Sequence, residues 1–267
     1  MSEAALLFEN RDGVAWLTMN RPEAMNSISL EMITLYEEYL EQILGDECIK
    51  VVVISGAGKA FCAGADLKQV LDSLDVPPGK PDFLDRLCDR VLNPLRDFPK
   101  PVIAALNGIA AGGGFQIALV SDQRVAHPGV RMGQPEINAA IPSIMGSYWM
   151  SLHLGWSKNQ ELSMTGRLMD AGEAHDLGLI NHLVEPDQVI AKACKVAETL
   201  AAKPAVAWAR TKARFREIAL SGFDEAFRAG VLGQQESYAK GEAQAVIEAF
   251  LSSRSSGQGG GRDDGKQ

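Results

Sequence analysis

The chain has 267 residues, of which 46% are hydrophobic, and its formal net charge at pH 7 is -8. This length and composition predict one large core, and the acidic balance argues against nucleic acid or an anionic membrane as the main partner, because phosphate recognition needs a basic face. The four cysteines form no C-x-x-C pair, and the N-terminus carries no secretory or transit signal. We therefore expect a cytoplasmic protein with reduced thiols.

The first elements are a strand, a helix and a second strand. Residues 14–19 predict a strand that the Asn-Arg-Pro turn at 20–22 closes. A helix follows, with Ser29 as its N-cap and Gly45 at its end. The apolar run at 51–54 predicts a strand that is covered on both faces.

Several common catalytic patterns are missing from the sequence. It contains no complete dinucleotide fingerprint, no Walker A pattern and no G-x-S-x-G elbow, which argues against nucleotide hydrolysis and the common serine-hydrolase plan. Residues 74–81 contain three prolines and a glycine, and they form either a lid or an ordinary surface loop.

The central stretch is a strand-to-helix junction rich in glycine. Residues 102–106 predict a buried strand, a helix begins near Phe115, and three glycines at 112–114 lie between them. Free N–H groups at a helix N-terminus, approached closely where no Cβ intervenes, can hold an oxygen that becomes negative. The alternative, a glycine turn that serves only tight packing, stays open on this segment alone.

The second half predicts short strands followed by helices. Strands are expected at 123–126, 130–132 and 178–184, and Pro135 suits the start of a new helix with Glu136 in its first turn. The repeated strand, strand, helix order predicts an α/β fold of stacked, largely parallel sheets with helices outside.

The C-terminal third is predicted to be helical. The helical pattern runs from Asp187 to about Phe250, with breaks near 203–204 and 221–222. We expect a core at 1–195, a helical segment at 196–251 and a disordered tail at 252–267, because the tail has too little apolar content to fold.

Taken together, the ordered motifs resemble the crotonase superfamily, the enoyl-CoA hydratase/isomerase family, over roughly residues 10 to 250. The motifs that carry the resemblance are Asn20-Arg21-Pro22, the segment 58–67, Asn107-Gly108, the glycines at 112–114, Gly133-Gln134-Pro135-Glu136 and Thr165-Gly166-Arg167. The resemblance implies a ββα spiral whose C-terminal helical segment forms a homotrimer or a dimer of trimers.

The resemblance also implies an acyl-CoA thioester substrate. Its carbonyl oxygen would lie between the backbone N–H groups of Ala63 and Gly113, which would stabilise an enolate. Contact with the substrate and its coenzyme A is implied for Ala63, Gly64, Ala65, Asp66, Leu67 and Gly113. No metal and no cofactor other than the coenzyme A of the substrate is expected.

Two side chains decide which reaction follows. Hydratases of the family use two glutamates, at the positions that match Gln116 and Glu136. The amide of Gln116 cannot take a proton but can hydrogen-bond a water or a thioester. Glu136 is then the only obvious general base, which favours double-bond isomerisation. A hydratase in which Gln116 positions the water and a non-catalytic acyl-CoA-binding protein remain as alternatives.

The sequence departs from the family pattern at two places. Residues 143–146 read Ser-Ile-Met-Gly where the family often has a glycine-rich step, so the acyl preference stays open. Arg254 is the only nearby cation where the family often has a lysine-rich segment for the coenzyme A phosphates. The four histidines and Cys62 have no catalytic or metal-binding spacing, and we expect ordinary structural roles for them.

Overall fold

A computed structural model describes residues 3–73 and 82–257. Ten strands form two sheets, one of six strands in the order β1-β2-β3-β5-β7-β10 and one of four in the order β4-β6-β8-β9. The strands are β1 Leu6–Arg11, β2 Val14–Met19, β3 Val51–Gly56, β4 Ala60–Cys62, β5 Val102–Leu106, β6 Ile109–Ala111, β7 Gln123–Ala126, β8 Arg131–Gly133, β9 Met169–Asp170 and β10 His182–Leu183. All neighbours pair in parallel except β1 with β2 and β8 with β9.

The helices lie between and outside these strands. They are α1 Leu30–Gly45, α2 Leu67–Asp72, α3 Phe83–Leu87, α4 Asn93–Asp97, α5 Gly113–Val120, α6 Ile144–Ser151, α7 Trp156–Thr165, α8 Ala171–Asp176, α9 Val189–Ala201, α10 Ala205–Ala239 and α11 Glu242–Gly257, with a π turn at Cys88–Leu92 that joins α3 to α4. Within 3–73 and 82–257, no helix combines the length and hydropathy that crossing a bilayer requires.

The chain steps from the large sheet to the small one three times. β3, β5 and β7 in the six-stranded sheet are each followed at once by β4, β6 and β8 in the four-stranded sheet. Since successive units pair in parallel in both sheets, each unit lies on its predecessor. This repeat confirms the predicted α/β fold of stacked, largely parallel sheets.

Both faces of the six-stranded sheet are covered, as the apolar run at 51–54 predicted. Successive side chains of a strand point to opposite faces. Val52 and Ile54 accordingly join the main core, whereas Val51 and Val53 join a second cluster under α9. The predicted boundary between residues 195 and 196 lies inside α9, whose apolar face packs on the sheet up to Leu200.

Helix α1 begins and ends as the sequence predicted. The Ser29 hydroxyl accepts a hydrogen bond from the Met32 N–H at 3.1 Å, and the helix ends at Gly45. Its buried face includes Tyr36, which is fully enclosed.

Two predictions for the C-terminal region are wrong. Helix α10 continues through Gly222. The glycine allows close packing on α6, because a Cβ at this position would lie 3.1 Å from the Tyr148 ring. The break comes instead at Gly241, which has a φ of 71°. Residues 252–257, expected to be disordered, continue α11, whereas 258–267 and the 74–81 segment lie outside the described residues.

Two asparagines, of which Asn26 is fully buried, hold the step between the two sheets. The Asn26 amide donates to the carbonyl oxygens of Ala57 at 2.9 Å and Ala60 at 2.7 Å, and its oxygen accepts from the Arg21 N–H at 2.9 Å. The Asn107 side-chain oxygen accepts a hydrogen bond from the Gly56 N–H at 3.1 Å, and its side-chain nitrogen donates to the Gly56 carbonyl oxygen at 2.8 Å. These bonds fix the turn that carries the chain from β3 to β4.

We predict that Asn26→Leu lowers the free energy of unfolding by about 3 kcal/mol, because it leaves buried backbone groups without partners. Urea denaturation with linear extrapolation measures this change. Asn10→Leu, which removes one exposed turn hydrogen bond to Gly13, is the matched control and should cost less than about 1 kcal/mol. Equal urea midpoints for the two variants would contradict this role for Asn26.

Candidate functional site

A cavity of about 510 Å³ lies where the β4 loop, the start of α5 and the segment after β8 meet α6, α10 and α11. This volume lies within the usual range for small-molecule sites. The predicted site residues that line it are Ala63, Gly64, Ala65, Asp66, Leu67, Gly113, Gln116 and Glu136. The structure therefore brings all of them to one cavity, although they do not all present the expected group to it.

The N-terminus of α5 presents the N–H of Gly113. Gly112 has φ 54° and ψ −125°, a conformation that favours glycine, and its own N–H donates to the Gly133 carbonyl at 3.0 Å. Gly113 is the first residue of α5, so its N–H has no acceptor within the helix. No hydrogen bond to another described residue uses it, so this donor is available to the cavity.

The second backbone donor is Ala65, and the prediction of Ala63 is corrected. The Ala63 N–H donates to the Met25 carbonyl at 3.0 Å and is not available to a ligand. Ala65 forms a parallel bridge with Ile28, in which the Ile28 N–H and carbonyl bond to Gly64 and Asp66. The N–H of Ala65 therefore points away from Ile28, and no hydrogen bond among the described residues uses it.

Ala65 and Gly113 approach each other closely. A Cβ atom on Gly113 would lie 4.0 Å from the Ala65 nitrogen. Gly64 permits this approach: its φ is 101°, and a Cβ there would lie 3.0 Å from the Ala111 carbonyl oxygen. Two N–H groups from different units of the spiral consequently meet at one edge of the cavity.

The carboxylate of Glu136 lies beside these donors. Glu136 begins a short 3₁₀ helix, Glu136–Ala139, and so lies in the first turn of a helix, as predicted. A Cβ atom on Gly112 would lie 2.9 Å from Glu136 Oε1, which places the carboxylate next to the residue before Gly113. Burial raises the pKa of Glu136 to about 7, while its own backbone N–H and the Gln116 amide partly oppose that rise. The group can therefore exchange a proton near neutral pH.

Gln116 lies on the first turn of α5 and is 5% exposed. Its amide lies beside the Glu136 carboxylate and lowers the pKa of that group, because a neighbouring donor favours the ionised form. Its Oε1 atom is buried and has no hydrogen-bond partner within the part of the chain that the structure describes. A buried acceptor in this condition is expected to receive a hydrogen bond from a water or a ligand.

Asp66 is the second carboxylate in the cavity wall, but it is already engaged. It forms an ion pair with Arg21 at 2.9 Å and caps helix α2 through the Gln69 N–H. The same Arg21 guanidinium donates to the Ser27 carbonyl at 2.7 Å, so it links the residue before Ile28 to Asp66. Asp66 thus supports the loop that presents Ala65.

The far part of the cavity is mostly apolar. Its wall is formed by side chains of α3, α6 and α11, including Leu87, Ile144, Met145, Ile247 and Phe250. Ile144 and Met145 belong to the segment in which the sequence departs from the family pattern, and both line the cavity. The Ser143 hydroxyl is buried there and has no partner among the described residues.

One residue of this site was missed by the sequence analysis. Gln134 is fully buried, and its amide contacts both carboxylate oxygens of Glu136. A signal for it exists: Gln134 directly follows β8 and lies only two residues before Glu136, within the same Gly-Gln-Pro-Glu motif.

The remaining candidates have no catalytic surroundings. Burial raises the pKa of the Cys62 thiol to about 12 and lowers the pKa of His153 to about 4, so both are neutral near pH 7. Among residues 3–73 and 82–257, no group of three or more histidine, cysteine, aspartate or glutamate side chains could hold a metal ion.

Comparisons with known proteins identify the family. A model described as enoyl-CoA hydratase/isomerase matches residues 9–255. A probable enoyl-CoA hydratase of Rhizobium meliloti is 36% identical over 203 residues, which cover 75% of this chain and 77% of that relative. A putative enoyl-CoA hydratase/isomerase of Bacillus subtilis is 33% identical over 248 residues, which cover 89% and 90% of the two chains.

A solved structure has the same fold over nearly its whole length. The crystal structure of carnitinyl-CoA hydratase from Mycobacterium avium matches with a TM-score of 0.81 and 28% identity, and the match covers 94% of this chain and 97% of that one. Together with the family match over residues 9–255, this likeness shows that the chain belongs to the enoyl-CoA hydratase/isomerase family of the crotonase superfamily.

Proposed function

We propose that this protein binds an acyl-CoA thioester and moves a proton next to its carbonyl group, with Glu136 as the general acid and base. The reaction we favour is isomerisation of a 3-enoyl thioester to the conjugated 2-enoyl thioester. One observation supports this choice: of the two carboxylates that the described residues place in the cavity wall, Asp66 is ion-paired with Arg21, whereas Glu136 forms no ion pair with them and can transfer a proton.

The backbone donors would stabilise the intermediate. With the thioester oxygen between the N–H groups of Ala65 and Gly113, loss of a C2 proton produces an enolate whose negative charge the two donors share. A donor of this kind typically contributes about 3 kcal/mol to transition-state stabilisation. The donors are held by the surrounding backbone before substrate binds, so little reorganisation is needed.

A single carboxylate suffices for the isomerisation. Glu136 as carboxylate removes the C2 proton, and the electron pair moves onto the adjacent thioester carbonyl to give an enolate conjugated with the C3=C4 double bond. The resulting carboxylic acid then returns the proton to C4, which re-forms the carbonyl and leaves a C2=C3 double bond. A pKa of about 7 suits a group that must both take and return a proton at neutral pH. The apolar wall would accommodate the hydrocarbon chain.

Hydration is the second candidate, and two observations favour it. Relatives of this chain are named hydratases, including the short-chain-enoyl-CoA hydratase of Clostridium acetobutylicum, which is 33% identical over 204 residues. The unpartnered Oε1 of Gln116 could accept a hydrogen bond from the attacking water. Glu136 would then remove a proton from that water and deliver a proton to C2.

Other features of the proposal follow from the family resemblance. The Ala63 to Leu67 segment would contact the adenine end of coenzyme A, which enters as part of the substrate with no separate cofactor. We expect a homotrimer or a dimer of trimers, built by the C-terminal helices. We also expect a cytoplasmic location. A non-catalytic acyl-CoA-binding role is the alternative from outside enzyme function.

A paired assay tests the proposed reaction. The protein receives a 3-enoyl-CoA in one cuvette and the matching 2-enoyl-CoA in another, and conjugation is followed by ultraviolet absorbance while mass spectrometry follows the product. We expect conjugation from the 3-enoyl substrate with no change in mass. Loss of conjugation with gain of water from the 2-enoyl substrate would establish the hydratase instead. Coenzyme A binding without turnover of either would support the binding protein.

The two side chains should differ sharply in their importance. Glu136→Gln should reduce kcat by about 100-fold or more, because an amide cannot transfer the proton. Gln116→Ala should cost less than about 10-fold if one carboxylate does all the proton work. Glu38→Gln, on the exposed face of α1, is the matched control and should match the parent chain. Equal losses at 116 and 136 would contradict the single-base mechanism.

The pH profile should report the protonation of Glu136. Because burial raises the pKa of Glu136 to about 7, the carboxylate that acts as base disappears as the pH falls through that value. We expect kcat/KM for the 3-enoyl substrate to be constant above the pKa and to fall about tenfold per pH unit below it. A profile that stays flat down to pH 5 would exclude Glu136 as the titrating base.

A further inference from the structure

Gln134 occupies an unusual place between the base and helix α6. It directly follows β8, and its side chain is fully buried. With its amide nitrogen toward Glu136, the orientation that gives both ends of the amide complementary partners, it donates to Oε1 at 2.6 Å and to Oε2 at 2.5 Å. One amide group therefore reaches both oxygens of the carboxylate.

The other side of the Gln134 amide rests on Gly146. A Cβ atom at that position would lie 2.1 Å from the amide carbon, 2.3 Å from its nitrogen and 2.4 Å from its oxygen. These distances are far below any van der Waals contact, so only a glycine in α6 leaves room for the amide. The amide is thus in close contact with both Gly146 and Glu136.

The carboxylate is held on a second side as well. The Gln116 amide of helix α5 lies beside Glu136 and lowers its pKa, and the Gly112 backbone lies against Oε1. No charged side chain among the described residues contributes to the shifted pKa of Glu136. The orientation of this carboxylate therefore depends on neutral amide donors rather than on an ion pair.

We propose that Gln134 is a positioning residue that fixes the plane of the Glu136 carboxylate over Gly112, with Gly146 providing the space that the amide requires. The two N–H groups of one amide can bond to both oxygens only when the carboxylate lies in one rotational position. This inference rests on the proposed role of Glu136 as the base.

Loss of Gln134 should change both the rate of proton transfer and the pKa of Glu136. A freely rotating carboxylate spends less time aimed at the C2 proton, and a misplacement of about 1 Å can cost up to about 100-fold in rate. Hydrogen bonds to the ionised form favour that form, so their loss should raise the pKa of Glu136. Substrate binding, which relies on the cavity wall and the backbone donors, should change little.

The test compares Gln134→Met with Asn159→Leu. Methionine has nearly the shape of glutamine but no donor, and Asn159 is another buried amide against α6, which donates to the Ser147 carbonyl at 2.8 Å without touching Glu136. We expect Gln134→Met to lower kcat between about 10- and 100-fold with KM changed less than about threefold, and to move the acid limb of kcat/KM to higher pH. Asn159→Leu should lower Tm and leave the acid limb where it is.

A double-mutant cycle tests the part assigned to Gly146. Gly146→Ala alone should displace the amide and reproduce the kinetic defect of Gln134→Met, whereas in a Gln134→Ala background the added methyl group should cost less than about threefold more. Additive losses in the cycle would overturn the coupling of these two residues. Near-ultraviolet circular dichroism shows whether each variant is folded before it is assayed.

The outcomes separate this inference from the proposed function. If Glu136→Gln abolishes turnover while Gln134→Met keeps both the parent kcat and the parent acid limb, the positioning role is wrong and the general base stands. If Glu136→Gln retains turnover, the proposed function itself fails. A shift of the acid limb to lower pH in Gln134→Met would also overturn the inference, because it has the wrong sign for lost donors.

Discussion

The close approach of two backbone turns, Gly64-Ala65 and Gly112-Gly113, is the constraint on which the site depends. Each turn follows a strand of the small sheet, and those strands, β4 and β6, are parallel neighbours. The chain reaches this arrangement because β3 and β5, which precede them, are also parallel neighbours in the large sheet. The fold thereby delivers two N–H groups to one point without any side chain.

The local backbone conformation determines how closely the two turns approach and which N–H groups they present. Gly64 and Gly112 both have positive φ values, and a side chain at either would collide with a neighbouring carbonyl or carboxylate oxygen. The bridge to Ile28 then determines which N–H faces outward, so that Ala65 rather than Ala63 presents its donor. The asparagine bonds at the step between the sheets, together with the Arg21 ion pair, hold this geometry before a ligand arrives.

The proton-transfer group likewise depends on neutral groups rather than on charged side chains. The Glu136 carboxylate is surrounded by the amides of Gln116 and Gln134 and by glycine backbone, which shield it from water without adding charge. Burial raises its pKa, and neutral donors limit that rise, so that both protonation states are accessible near pH 7. An ion pair in place of the amides would hold the carboxylate ionised and weaken it as a base.

Much of this could be predicted from the sequence, because glycines and hydrophobic periodicity report local backbone requirements. The N-cap at Ser29 and the doubly buried strand at 51–54 are confirmed, and Gly113 begins a helix that follows the glycine turn, since each of these features depends on its immediate neighbours. The donor at Ala65 could not be chosen over Ala63, because the choice depends on a bridge to Ile28, which is distant in sequence.

Other differences also arise from tertiary contacts. Gly222 marks a close contact with Tyr148 instead of a helix break, and a glycine alone does not distinguish these cases. The role of Gln134 depends on Gly146, twelve positions later. The absence of a side chain there matters only because α6 packs on the Gln134 amide. Hydrophobic periodicity predicted the positions of the strands and helices. The orientation of individual side chains and N–H groups depends instead on contacts between residues that are distant in sequence.

A crystal structure of the protein with an unreactive acyl-CoA analogue would test the central claim most directly, because it shows where the thioester oxygen lies. We expect this oxygen within about 3 Å of the backbone nitrogens of both Ala65 and Gly113, with C2 of the acyl group facing the Glu136 carboxylate. An oxygen bonded to the Ala63 nitrogen, or an acyl group turned away from Glu136, would contradict it.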